Sequence, residues 1–515
     1  MGLVYVIAGN LRSWLKPCKV APRNGDRVTT MQQLTELDNT FLQVESNRTP
    51  MHITPVIFYD QSSVKGGKVR FKEILETFER NLHKSKIFRR KLGGSSFGFD
   101  TPYWVEDANF DLEFHIRHIS LPKPGDWRQL CILLSRLHSR GLDMRRPLWE
   151  AYVIEGLNEI EGLPANSFVV MLKIHHAAID GVSSTEIIQA LHSLNPDDPL
   201  PNVEDNWKGE SEPSKMQVWS RAYMNNMKRP VKFMETVSEL VPNLMKARKQ
   251  NDQEESHLEK TRFNTRVSAH RVTDALAIEL DQVKAIRKAV PGSTVNDVIV
   301  SIVGGTLRKY LQGKNELPTG SLVCGAPINV RANSDSDSSG NQVGMMTIDM
   351  ATDVEDPLER LAAVMAHAQS SKDYSNTVGP DTMMGFSQGL FPMFLGASMR
   401  AAFFAASTTD FPMPVHTVVS NVPGPQIPLY LAGAKVHMMM GLGPLLDAMG
   451  LFHAVISGAG LITINFVSCR EILPDPDFYR QCLQEAFDEL RESAVTSKPK
   501  TKRKKRKSRA TASPA

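Results

Sequence analysis

Lys173-Ile174-His175-His176-Ala177-Ala178-Ile179-Asp180-Gly181 is the stretch on which the reading of this chain turns. It follows Ser167-Phe168-Val169-Val170-Met171-Leu172, an apolar run whose β-branched and bulky residues predict a buried strand. Two imidazoles therefore arrive at the end of a strand, an acid comes four residues after the second, and a glycine then permits a turn. Successive side chains on a strand face opposite ways. His175 and His176 are thus expected on opposite faces, with only one of them entering any single site. That geometry argues for one working histidine and against a metal pair.

Working outward, the 515 residues are enough for two or three domains, with 41% hydrophobic and 23% charged side chains, as in a globular protein with large cores. The five cysteines (Cys18, Cys131, Cys324, Cys469, Cys482) are scattered, odd in number and without C-x-x-C spacing. This argues against a disulfide framework or a zinc site and for a reducing compartment. Net charge is +4, but nine basic residues and no acid lie between Lys498 and Arg509. Removing those nine from the 60 Lys and Arg leaves 51 against 56 Asp and Glu. The body is mildly acidic, so no nucleic-acid-binding fold is inferred. No apolar stretch approaches the ~20 residues that span a bilayer. Gly2-Leu3-Val4-Tyr5-Val6-Ile7-Ala8-Gly9 is too short for a signal peptide and lacks a basic residue before it.

Periodicity predicts a mixture of helices and strands. Phe71, Ile74, Leu75, Phe78 and Leu82 fall at helical spacing, in a helix expected to end in the basic cluster Phe88-Arg89-Arg90-Lys91-Leu92. That cluster reads as a solvated helix end or a contact for phosphate groups of a ligand. A strand is expected over 110–119, a helix over 126–140 and another from Ser184 to Leu194. From Asn195 the composition shifts to Asn, Asp, Pro, Glu and Ser, marking a boundary. Thr294 or Asn296 is expected to cap a buried helix opened by Val298-Ile299-Val300-Ser301-Ile302-Val303. Further strands fit 268–280, 321–330, 341–350, 417–420, 434–440, 451–458 and 461–467, and a last helix fits 476–492.

The spacing His176-x-x-x-Asp180-Gly181 resembles the signature of the CoA-dependent acyltransferases, the superfamily of chloramphenicol acetyltransferase and the peptide-synthetase condensation domains. Its doubled form resembles the bacterial wax ester synthase/diacylglycerol acyltransferase family. Other elements carry the same likeness. They are the Leu34-x-x-Leu37-Asp38-x-x-Phe41-Leu42-x-x-Glu45 pattern closed by Met51-His52, Pro147-Leu148-Trp149, Asn296-Asp297-Val298-Ile299-Val300, and Asn421-Val422-Pro423-Gly424-Pro425. The resemblance covers about residues 31–492. It implies an α/β (α+β) chain of two chloramphenicol-acetyltransferase-like halves, each a mixed sheet flanked by helices, with the active-site channel between them. The corresponding divisions are an extension (1–30), a first half (31–199), a helical crossover (200–262), a second half (263–492) and a basic disordered tail (493–515).

The implied chemistry is attack of an alcohol on an acyl-CoA thioester, without an acyl-enzyme. A hydroxyl needs a base in contact as the bond forms, and neutral imidazole suits this. By the resemblance His176 is that base, while His175 beside it is either structural or positional, or a second catalytic residue. Asp180 reads either as an acid orienting the histidine or, as the resemblance implies, as a structural acid paired with an arginine, for which Arg331 is the candidate. Gly181 lets the chain turn beside the channel. Asn296 is either an oxyanion donor or a helix cap. Asn421, Pro423 and Gly424 shape a turn lining the channel, with Asn421 a second donor candidate. Pro147 fixes a turn and Trp149 packs in the core. The substrates implied are a long-chain acyl-CoA and diacylglycerol or a fatty alcohol, with no cofactor and no metal. A peripheral, cytoplasmic location is expected on the inner membrane face or on lipid bodies, with no specific nucleic acid. The Met- and Phe-rich segments 384–414 and 438–449 suit a long acyl chain or ordinary core packing. The tail suits anionic lipid, nonspecific RNA or simple solubilisation. Of these the apolar stretch Gly389–Ser407 is the expected membrane anchor. The rival readings are an acyltransferase for another acceptor, a noncatalytic lipid-body coat protein, and a metal hydrolase using His175, His176 and Asp180.

Overall fold

The computed structural model describes residues 32–94, 100–179, 183–199, 207, 209, 213–227, 259–329, 343–378, 392–409 and 415–496. The first part runs β1 (Gln32–Gln33), α1 (Glu36–Val44), β2 (His52–Asp60), α2 (Phe71–Asn81), β3 (Arg90–Gly93) and β4 (Tyr103–Glu106). It continues with β5 (Ile116–Ser120), α3 (Trp127–His138), β6 (Trp149–Glu155), β7 (Phe168–His175) and α4 (Ser183–Leu191). The second part opens with β8 (Arg271–Glu279), α5 (Leu280–Arg287), α6 (Val295–Gly313), β9 (Val323–Asn329) and β10 (Val343–Asp349). Then come α7 (Pro357–Val378), α8 (Pro392–Thr408), β11 (Thr417–Pro423) and β12 (Tyr430–Leu431). It closes with β13 (Ala434–Leu442), β14 (Leu451–Gly458), β15 (Leu461–Cys469) and α9 (Pro476–Thr496). The last helix thus runs past residue 493, where the tail was expected to begin.

Two six-stranded mixed sheets organise these elements, ordered β12-β13-β2-β7-β6-β5 and β10-β9-β11-β14-β15-β8. In the first, only β5 and β6 pair parallel. In the second, β11 lies parallel to both β9 and β14. A small sheet, β1-β4-β3, completes the set. The apolar run before the histidines is a central strand with all eight residues buried. Phe168, Val170, Leu172 and Ile174 face a cluster with Ile57, Phe78 and Trp149. Val169 and Met171 face the other way, into a cluster shared by Leu130 and Leu134 of α3 and by Leu276, Val303 and Val455 of the second half. Burial of each such side chain contributes about 1.5–3 kcal/mol. Lys173 and His175 belong to the face turned toward the second half. There α3 packs on β8, and Trp127 Nε1 donates to Asp274 Oδ1 at 2.7 Å.

Two strands of the second half, β12 and β13, lie in the first sheet. β13 follows β8–β11 in sequence yet pairs antiparallel with β2, Met440 opposite Val56, and so extends the first sheet. It also packs on β14 and β15. Alternation of apolar residues fixes which face of a strand is buried, but not which sheet receives it.

Two local expectations fail for physical reasons. The helix from Phe71 stops at Asn81, two 3₁₀ turns follow, and Arg90–Gly93 is a strand. The basic cluster is used there: Arg90 lies 3.5 Å from Glu106 and Lys91 lies 3.3 Å from Asp107. Within the stretch 110–119, Leu112–His115 is a helical turn before β5. Asp111 caps it by accepting the Glu113 and Phe114 N–H groups, a local bond that outweighs the alternating pattern.

Candidate active site

β7 ends at His175, and His176 opens a 3₁₀ turn, His176–Ala178. The strand alternation expected to separate the two rings therefore stops between them. Both rings meet α1 instead. The Phe41 ring stacks on His176 with centroids 3.9 Å and planes 22° apart. Glu45, the residue that ends α1, places Oε2 3.1 Å from His175 Nε2.

The buried His175 has a defined tautomer. Its Nδ1 accepts the Ala177 N–H at 3.0 Å, so the ring proton sits on Nε2 and points at the Glu45 carboxylate. Its backbone N–H donates to the Leu148 carbonyl at 2.9 Å. The other Glu45 oxygen accepts the Met51 N–H at 3.3 Å. The Met51 carbonyl in turn accepts the His176 N–H at 2.8 Å. One carboxylate thus orients His175 and, through Met51, steadies the turn that carries His176.

His176 differs in kind. Its Nδ1 is buried but has no hydrogen-bond partner. Burial, reinforced by the neighbouring His175, holds its pKa down at about 4. The ring is therefore neutral near pH 7, the state a general base requires.

Pro147-Leu148-Trp149 sits beside this turn. Trp149 is opposite Ile174 in the sheet, is fully buried, and donates Nε1 to the Phe88 carbonyl at 2.9 Å. It also stacks on His115 at 4.6 Å. The Pro147 carbonyl, in a buried residue, accepts the Trp149 N–H at 2.8 Å. Leu148 between them supplies the carbonyl that holds His175.

In the second half the structure brings Asn296 and Asn421 together, Asn421 Nδ2 donating to Asn296 Oδ1 at 3.3 Å. Asn296 is not the helix cap. Thr294 caps α6 by accepting the Asp297 N–H at 3.2 Å, and Asp297 returns a bond to the Thr294 N–H at 2.7 Å. Asn421, Val422 and Pro423 are strand residues, with Pro423 opposite Ser457, so the turn begins only at Gly424. The Gly424 N–H donates to the Ser457 carbonyl at 2.6 Å, and a Cβ there would lie 2.4 Å from that oxygen. Asp180, Gly181 and Arg331 lie outside the described residues.

A cleft of about 390 Å³ opens beside Glu45, lined by Leu42, Ser46, Leu92, Leu142 and Met144 among others. α8, from the apolar stretch 389–407, packs on α1. Gly396 lies against Gln43, where a Cβ would come within 2.3 Å of the Gln43 Cβ, and Arg400 donates to the Gln43 carbonyl. Phe41, Glu45 and Met51 are the site residues that sequence reasoning missed. All three lie in the amino-terminal pattern that carries the resemblance, and that was their one available signal.

Comparison with known proteins identifies the family. Residues 34–299 match the wax ester synthase/diacylglycerol acyltransferase catalytic domain, and residues 339–491 match the WS/DGAT C-terminal domain. The chain belongs to the wax ester synthase/diacylglycerol acyltransferase family. This WS/DGAT member is an acyltransferase. It is 32% identical over 469 residues to a putative diacylglycerol O-acyltransferase of Mycobacterium tuberculosis, covering 90% of each chain. It is 30% identical over 443 residues to a putative diacylglycerol O-acyltransferase of Mycobacterium bovis, covering 85% of this chain and 94% of the relative. Among solved structures it resembles the wax ester synthase/diacylglycerol acyltransferase of Marinobacter aquaeolei (TM-score 0.66, 25% identity, 90% of this chain and 100% of that one). The first condensation domain of the calcium-dependent antibiotic synthetase shares the fold, at a TM-score of 0.54 and 12% identity over 91% of this chain and 97% of that one.

Proposed function

We propose that this enzyme transfers a long-chain acyl group from acyl-CoA to the hydroxyl of diacylglycerol, giving triacylglycerol, or of a long-chain alcohol, giving wax ester. The observation that carries the reading is His176: neutral, ring-stacked, with a nitrogen that the protein leaves uncommitted at a strand end fixed by Glu45 and His175. The hydroxyl oxygen bonds to the thioester carbonyl carbon while its proton passes to the His176 ring. The carbon–sulfur bond then breaks, and the proton moves on to the departing CoA thiolate. No acyl-enzyme and no cofactor enters, since acyl-CoA is a substrate. Asn296 supplies the oxyanion donor. Its Oδ1 is occupied by Asn421, which leaves its amide N–H groups free of that bond. The cleft beside Glu45, within the usual size range for ligands and lined by Leu42, Leu92, Leu142 and Met144, takes an aliphatic part of the substrates.

The relatives named diacylglycerol O-acyltransferases support diacylglycerol as an acceptor. Such acceptors live in lipid. Among the described residues no helix is long and apolar enough to cross a membrane. Because its acceptors live in lipid, the proposed place of work is peripheral, on the inner membrane face or on lipid bodies.

The test pairs purified protein with palmitoyl-CoA and either dioleoylglycerol or hexadecanol, following free CoA thiol and ester product together. Ester formed in step with CoA is the expected result. CoA released without ester would make the chain a thioesterase, and no release with any acceptor would favour a noncatalytic coat protein. Loss of turnover on exhaustive chelation would point instead to the metal-hydrolase reading.

A further inference from the structure

Residues 215–227 form a helix that carries large apolar side chains on its exposed side as well as apolar ones on its buried side. It rests on the body through a narrow stripe, Val218 at 3% and Ala222 at 2% exposure. Asn225 Nδ2 fastens it by donating to Asp100 Oδ2 at 2.8 Å and to Gln33 Oε1 at 3.1 Å. Ser214 starts it by accepting the Gln217 N–H at 3.3 Å. With about 100° between successive side chains, Met216, Tyr223 and Met227 point directly away from that stripe. They are 82%, 69% and 64% exposed. Met224 and Trp219 flank them at 66% and 45%. Large side chains thus occupy the outward face, where a solvated helix carries charge.

The charge along this helix is of one sign. From Ser214 to Met227 the sequence holds Lys215 and Arg221 and no acidic residue, although the chain outside its last basic run is acidic on balance. Sulfur and aromatic side chains on the outward face of a helix that carries cations alone match the chemistry of an anionic lipid–water interface.

We propose that the outward face of helix 215–227 docks the enzyme on an anionic phospholipid surface. Met216, Tyr223 and Met227 enter the acyl region, Trp219 lies at the interface, and Lys215 and Arg221 meet the headgroups. The proposal rests on the acyl-transfer reading only for its purpose, which is to bring the protein to a lipid-borne acceptor. It makes helix 215–227, rather than the tail or α8, the main point of attachment.

The experiment compares the full chain with the triple variant Met216→Ser, Tyr223→Ser, Met227→Ser. All three residues are exposed, so its melting temperature should match the parent. Vesicles of phosphatidylcholine with phosphatidylglycerol, with and without dioleoylglycerol, are sedimented with each protein. Binding by the variant should fall roughly tenfold or more, and part of the parent's binding should survive 0.5 M salt, a condition chosen for the test. Transfer to vesicle-borne dioleoylglycerol should fall in parallel, while transfer from hexanoyl-CoA to a short soluble alcohol stays at the parent's rate. Unchanged vesicle binding by the variant would overturn the proposal. So would parent self-association in sedimentation velocity that the variant abolishes while still binding vesicles, since a second copy would then cover this face. If the parent acylates no alcohol, the acyl-transfer reading falls while the sedimentation result still decides the docking.

Discussion

His453 and His176 are both taken out of water, and burial holds their pKa values down to about 3 and about 4. The difference lies in what their nitrogens do. His453, on β14 of the second sheet, meets the Thr417 hydroxyl at Nδ1 (3.0 Å) and the Tyr479 hydroxyl at Nε2 (2.8 Å). Both of its nitrogens are spent on holding β11, β14 and α9 together. His176 has a ring nitrogen with no protein partner, while the carboxylate that braces the turn holds its neighbour His175 instead. A lowered pKa does not distinguish the two, and His138 and His192 are lowered as well. Between His176 and His453 an uncommitted nitrogen does. His176 shares that feature with His52 at Nδ1 and His115 at Nε2, so its place at the strand end beside Glu45 completes the distinction.

The strongest way to break this comparison is to remove each ring. His176→Ala should cut acyl transfer by roughly 10²–10⁴-fold while leaving the thermal transition in place. His453→Ala should do the opposite, losing roughly 2–5 kcal/mol of stability while the folded fraction keeps its rate. Initial rates and melting curves on both variants decide it, and equal loss of activity in the two would dissolve the distinction.

Next in size is the second half's contribution. If Asn296 donates to the oxyanion, Asn296→Ala should lower kcat by about 10²–10³-fold with little change in KM. Asn421→Ala, which removes only the bond to Oδ1, should cost less. A change confined to KM would make the pair a binding element.

Glu45 sharpens the contrast between a bracing group and a base. Glu45→Ala should lose about 10–100-fold in rate, the worth of one charge-assisted hydrogen bond. Glu45→Gln should recover part of it, because an amide oxygen still accepts the Nε2 proton of His175. Recovery of the rate, measured beside an unchanged melting temperature, separates positioning from bulk destabilisation.

The smallest effect per group is on pH dependence. His138, His176, His192 and His453 have folded values of about 3, 4, 4 and 3, against an ordinary 6.5. As pH falls the unfolded chain takes up protons first. Stability should therefore be full above about pH 6.5 and decline below it, by about 1.4 kcal/mol per pH unit for each histidine, until the folded values are reached. Melting temperatures from pH 8 to 4.5 would show this slope. The rate of the folded fraction, governed by His176, should stay level to about pH 5, and a rate that halves near pH 6.5 would contradict the buried neutral base.

Much of the first sheet and the histidine turn was legible in the sequence because the signals are local. The run Phe168–Leu172 announces a strand buried on both faces, and Thr294 followed by Asp297 announces a capped helix. What was not legible is long-range. Glu45 and His175 are far apart in sequence, and neither an acid at a helix end nor a histidine at a strand end specifies its partner. The two rings were expected on opposite faces because the strand was taken to continue past His175. The Ala177 N–H bond to its Nδ1 marks the point where the strand gives way to the turn. Asn296 looked as good a cap as Thr294 until the reciprocal bonds between Thr294 and Asp297 assigned that duty.

The crossing of β13 into the first sheet has a consequence for how the protein is made. β2 leaves the ribosome early, and the strand that covers its free edge is synthesised only after most of the second sheet's elements have appeared. At ~5–20 residues/s the intervening chain takes about 20–75 s to emerge. Throughout that interval the edge that includes Val56, Ile57 and Phe58 is open to pairing with other chains. Fragments that end before Ala434 carry the same exposed edge permanently. Nascent chains of this enzyme should accordingly depend on holding chaperones, and expression of the first half alone should yield aggregates rather than a small working domain.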